Sequence, residues 1–200
     1  MTTFAQMQSL VIAQTRRPEI TDVTDAAIKS ATLRAHHCDF FPRDLATGTL
    51  TYTVNGSIFY DFANVSSTLS RLRSIKSVQS VDSISFAPTE ILEYRDSDDL
   101  YDADRNRRTS QYTLIGDTLR IYPQSVTGTA EVFYYKNPDV GSATYSSWIA
   151  DTYADELAMW AAAIVFARTG FAEMAQEFNR NHIVPFKELL IASHLLGTVN

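Results

Sequence analysis

The run His36-His37-Cys38-Asp39 collects four side chains that bind metals or move protons. Metal binding needs ligands that converge, and neighbouring positions on a helix point in different directions; zinc sites use i, i+4 or loop spacings instead. The plainer reading is a helix end with a buried Cys38 and polar neighbours, so no metal is expected. Asp96, Asp98, Asp99, Asp102 and Asp104 look like a calcium loop, but an EF-hand counted from Asp96 would need glycine at Tyr101 and glutamate at Arg107. A charged, solvated loop fits better. Arg105, Arg107 and Arg108 follow these aspartates and are expected to balance them locally or to pair with another subunit. No glycine-rich phosphate loop, Gly-x-Ser-x-Gly, His-Glu-x-x-His or Cys-His pair is present, so no enzyme activity and no cofactor are expected. Dispersed carboxylates converging in space, as in glycosidases, would be the hydrolase alternative. Tyr52, Tyr60, Phe133, Tyr134 and Tyr135 suit sugar or base stacking, which makes a carbohydrate- or nucleic-acid-binding module the second reading, although sheet packing explains them as well.

The elements that must position these residues fall in two classes. Helix patterns sit at both ends of the chain. Thr3 and Gln6 stand in capping-box spacing, Phe4, Met7, Leu10 and Val11 recur at helical intervals, and Arg16-Arg17-Pro18 ends the run. A second helix is expected from a cap at Thr21 or Asp22, with Ile28, Ala31, Ala35 and Cys38 on one face and Leu33, His37 and Phe40 on another, both covered. Leu157 to Ala167 is apolar on every side, which marks a helix surrounded by protein. Gly170 breaks it, and a last helical stretch from Phe171 to Leu196 is expected to kink near Pro185.

Between the ends the pattern is of strands. Leu50, Tyr52, Val54 and then Ile58, Tyr60, Phe62 alternate around Asn55-Gly56, with Val54 expected opposite Ile58 and Tyr52 opposite Tyr60. A second hairpin places Gly116-Asp117 in a type II′ turn, Leu114 against Leu119, Tyr112 against Ile121 and Thr113 against Arg120. Ala130 to Tyr135 reads as a strand, and so does Leu69 to Val81 despite its apolar spacing of three. A short helix is expected from Ala87-Pro88-Thr89 through Tyr94. The fold class expected is therefore α+β: a helical bundle built from N- and C-terminal helices, residues 1–45 plus 148–196, with a β-rich antiparallel hairpin insertion at 48–146, all in one domain of residues 1–200.

The chain has 200 residues, 45% hydrophobic and 20% charged, enough to bury a core. A net charge of −6 disfavours tight wrapping of nucleic acid. The single Cys38 cannot form an internal disulfide, and no basic stretch followed by an apolar run follows Met1, so no secretory signal is expected. The longest apolar run is about half of the roughly 20 residues a membrane helix needs, and no membrane partner is expected.

Taken in order, Thr15-Arg16-Arg17-Pro18-Glu19, the stretch His36 to Asp44, Tyr112 to Pro123, Phe133 to Pro138 and Trp148 before an alanine-rich helix resemble the head-to-tail adaptors of tailed bacteriophages, which sit under the portal. The resemblance spans most of the chain. It implies a non-enzymatic structural protein of the virion neck, made in the host cytoplasm. It also implies a ring, usually dodecameric, docked to the portal on one side and to a tail or nozzle protein on the other, through which DNA passes without specific binding. Phe186, Leu189, Leu190 and Leu195 would then face the portal or a neighbouring subunit, as would Arg105, Arg107 and Arg108. The acidity would suit a conduit that repels phosphate.

Overall fold

The computed structural model describes residues 1–53, 59–81, 88–96, 110–122 and 127–197, with the side chains at 88, 89, 127 and 195–197 outside that description. The residues form two compact units, one of Met1–Asp44 with Asn137–Asn200 and one of Leu45–Lys136.

In the first unit, α1 (Phe4–Thr15) opens on the capping box its spacing predicts: Gln6 N donates to Thr3 Oγ1 at 3.2 Å and Thr3 N to Gln6 Oε1 at 2.8 Å. Neither Thr21 nor Asp22 caps α2 (Thr21–His36), which starts from Ile20 without a side-chain cap. Ile28, Ala31 and Ala35 are buried as expected, but the second side stays open, with Phe40 47% exposed. Short α4 (Trp148–Thr152) leads into α5 (Ala154–Arg168), which packs Leu157, Trp160, Val165, Phe166 and a row of alanines into the core. Gly170 ends α5 at φ +87°: Phe171 N donates to Phe166 O at 2.9 Å and the two rings lie 6.4 Å apart, a Schellman stop with its apolar contact. After α6 (Ala172–Phe178), Asn179–Ile183 widens into a π turn before α7 (Val184–Gly197). Pro185 cannot donate to the carbonyl four residues back, and Val184 N reaches Asn179 O instead.

The second unit corrects the expected fold. The helices do not carry a hairpin insertion; the middle segment is a seven-stranded sheet ordered β1-β7-β3-β4-β5-β6-β2. Its strands are β1 (Leu45–Thr53), β2 (Tyr60–Phe62), β3 (Leu72–Val81), β4 (Pro88–Tyr94), β5 (Gln111–Ile115), β6 (Thr118–Tyr122) and β7 (Thr127–Lys136). The expected helix at 87–94 is strand β4. Leu92 faces the core while Ile91 is 72% exposed, an alternation of period two, and Pro88 heads the strand, where a missing N–H costs least.

β1 and β2 do not form the expected hairpin; residues 54–58 of that turn lie outside the described residues. β1 finds a nine-pair register along β7, and β2 pairs with β6, where Arg120 Nε and Nη2 donate to Asp61 at 2.7 and 2.8 Å. The edge strands nevertheless approach, with the Tyr52 and Tyr60 rings 6.5 Å apart, so the sheet curls toward a barrel. The β5–β6 hairpin has the expected register, and Gly116 takes φ +60° at the first turn position. β3 is a strand whose spacing of three has a cause: its register against β7 slips between Leu72 and Ser74 and again between Ile75 and Ser77. Short α3 (Val65–Thr68) adds Val65, and the residue after it Leu69, to a core of Leu50, Val78, Leu119, Ile121 and Val132.

Tyr52 lies over its register partner Gly128, where an added Cβ would sit 2.5 Å from the phenol oxygen and 2.8 Å from Cζ. Gly128→Ala is therefore expected to destabilise the sheet by about 1–3 kcal/mol through overpacking, read by urea denaturation. Unchanged stability would show that the ring is not seated there.

Candidate functional site

The four residues His36 to Asp39 share none of the partners described next. His36 Nδ1 lies 2.9 and 3.0 Å from the two Asp44 oxygens and its Nε2 2.9 Å from Ser147 Oγ. His37 Nε2 lies 2.7 Å from Asn137 Oδ1, Cys38 Sγ donates to Arg34 O at 3.3 Å, and Asp39 Oδ2 meets His194 Nδ1 at 2.7 Å. Among the described residues no group of three metal-ligating side chains converges.

Local structure explains how Asp44 and Ser147 reach His36. The 3₁₀ turn Pro42–Asp44, closed by Asp44 N donating to Phe41 O at 2.9 Å, carries the carboxylate back to the end of α2. Ser147 is the N-cap of α4 and accepts from Ala150 N at 3.2 Å. With Asp44 ionised, Nδ1 of His36 donates to it and Nε2 accepts from the Ser147 hydroxyl. That is the connectivity of a hydrolase triad, but a nucleophile needs an open face and an approachable carbonyl. Ser147 is 3% exposed and already holds a helix N-terminus.

What the network does hold is Trp148, whose indole Nε1 donates to Asp44 Oδ1 at 2.9 Å. Phe41 stands edge-on to that indole with centroids 5.3 Å apart, and His194 stands 5.9 Å from Phe41. Arg43 lays its guanidinium 5.1 Å from the Trp148 centroid. With Tyr153, these side chains wall a cleft of about 330 Å³. A wider groove of about 630 Å³ runs between α2, α5 and the α6–α7 segment, with Leu33, Trp160, Ile164 and Ile191 along it and Arg34 and Lys187 supplying its charge. Deeper in the unit, Tyr145 meets Thr32 Oγ1 at 2.8 Å; burial pushes its phenol pKa up, and the Thr32 hydrogen bond partly offsets this.

Of the partner residues read from the sequence, Phe186 and Leu190 are in the unit's own core, Phe186 with its ring 5.7 Å from Tyr153 and 6.3 Å from Trp160. Leu189 is 45% exposed on α7. The side chain of Leu195, and Arg105, Arg107 and Arg108 entirely, lie outside the described residues, as does the aspartate run except Asp96, which accepts from the Tyr94 hydroxyl at 3.0 Å. Tyr52 and Tyr134 are buried in the sheet core. Arg43, Asp44, Ser147 and Trp148 were not picked out as a site by sequence reasoning; the signal available was a Pro-Arg-Asp turn behind two phenylalanines and a serine at a helix start.

The polar groups of this network orient the aromatic side chain of Trp148. The chain belongs to the SU10 adaptor protein family, whose model matches residues 2–182. No curated protein matches the chain. Family membership gives it a structural adaptor role in a bacteriophage and implies a place in the virion neck and contact with portal and tail components. Among the described residues no helix is long and apolar enough to cross a membrane.

Proposed function

We propose that the chain assembles as a dodecameric ring that joins the portal to a tail or nozzle protein and leaves a passage for DNA. Besides the family, the observation that supports this is the set of apolar side chains left uncovered on α6 and α7 of the helical unit: Met174, Val184, Leu189 and Ile191 are all exposed. α6 has no fully buried residue and packs on the unit's core only through the partly buried Ala175 and Phe178, which leaves its other face free for a second chain. Leu189 is the residue of the sequence-derived set that this surface includes, with Leu195, Arg105, Arg107 and Arg108 proposed as further contacts. A net charge of −6 suits a passage that does not retain phosphate.

The test is electron microscopy of the purified chain mixed with portal, beside light scattering of each alone. The expected result is a largely monomeric free chain and a ring added to the portal. A portal left bare, or salt-sensitive retention of DNA by the free chain, would overturn the reading in favour of a nucleic-acid-binding module.

A further inference from the structure

Hydrogen bonds as well as ring packing hold one wall of the cleft beside Trp148. Asp44 is buried and accepts from both His36 Nδ1 and Trp148 Nε1, while Phe41 fixes the indole from a second side. A buried polar network often adds little stability over an apolar replacement, and one use of it is to fix geometry. Here the geometry fixed is that of one wall of an open cleft. Walls locked before binding lose little entropy on binding, as hot-spot pockets require.

Charge says what the cleft takes. Phe41, Arg43, Trp148, Tyr153 and His194 are among its lining residues, and among the described residues no carboxylate lines it. His194 is already matched by Asp39 at 2.7 Å. Arg43 is exposed, rests on the indole face and has no carboxylate partner among the described residues. The volume, about 330 Å³, is at the small end for ligand pockets and fits one bulky side chain.

We propose that this cleft is the socket for an anchor from a neighbouring virion protein: a bulky apolar side chain flanked by an Asp or Glu whose carboxylate pairs with Arg43. The inference rests on the adaptor reading, which supplies the neighbouring chain. Arg43 gives specificity, and the Asp44–His36–Ser147 network acts as a positioning device for Trp148.

The probes are N-acetyl-phenylalanine, which carries a carboxylate, and its amide, titrated into the full chain while the Trp148 indole N–H is followed by NMR. Trp160→Phe separates the two indole signals. The expected result is saturable millimolar binding of the acid and binding of the amide, or of the acid to Arg43→Gln, weaker by about ten-fold or more, the equivalent of one charge-assisted hydrogen bond. Equal binding of acid and amide, or an unaffected Arg43→Gln protein, would overturn the proposal. Retention on the portal and on tail components separates the two readings. A wild-type chain that binds neither sinks the adaptor reading, and the probe titration alone then decides the cleft. If wild type binds and Arg43→Gln binds equally well, the cleft is no partner socket. Self-association abolished by Arg43→Gln would name a second copy as occupant and overturn the one proposed.

Discussion

An Ala162→Asp protein is expected to have no folded helical unit. Ala162 is fully buried at the centre of α5, between Ala161 and Ala163, and α1 and α2 both pack on this helix. The small side chains let the helices approach closely, so the larger side chain has no room and its carboxylate no water and no cation. Burying an unpaired carboxylate costs several kcal/mol even after relaxation, and overpacking adds about 1–3 kcal/mol. Together these approach the whole stability of a typical domain, about 5–15 kcal/mol. Soluble yield and far-ultraviolet circular dichroism check the outcome, with Ala162→Ser as the mild control. A soluble Ala162→Asp protein with a wild-type melting curve would mean that α5 is not the centre of the unit.

Removing Asp44 is the second large effect. Asp44→Ala leaves the imidazole Nδ1 of His36 and the indole N–H of Trp148 without their acceptor in a buried site. Leaving a buried donor without its acceptor costs about 1–3 kcal/mol, and two donors lose theirs here; in a chain of this size each kcal/mol lowers the melting temperature by about 2–4 °C. Calorimetry reads the loss, and Trp148 fluorescence reports the loosened indole. The contrast is the Asp61–Arg120 pair of the sheet, bidentate but half open to water, whose removal is expected to cost only about 1 kcal/mol or less. Equal costs at the two sites would mean that the Asp44 network is no better shielded than a surface pair.

These two sites also mark what sequence reasoning reached. α5 was readable because its apolar run has no polar side to face water. The capping box at Thr3 and the Gly116 turn were readable because both are local, set by residues a few positions apart. Strand partnership is not local: β1 pairs with β7 some eighty residues away, and nothing within Leu45–Thr53 announces it. Two register slips gave β3 its spacing of three, although the segment still reads as a strand, and Pro88 imitated a helix start because proline suits the first position of either element. The cleft was hidden for the same reason as the sheet. Its members come from the end of α2, a 3₁₀ turn and the start of α4, and only folding brings His36, Asp44, Ser147 and Trp148 within hydrogen-bonding reach.

β4 runs antiparallel to β3 along Val78 to Val81 but meets β5 in parallel, in the described residues only at Glu93↔Gln111 and Tyr94↔Tyr112. Among the described residues, the β4–β5 ladder is therefore the shortest between neighbouring strands of the sheet. Strain applied across the sheet is expected to open this two-pair ladder before the nine-pair β1–β7 ladder.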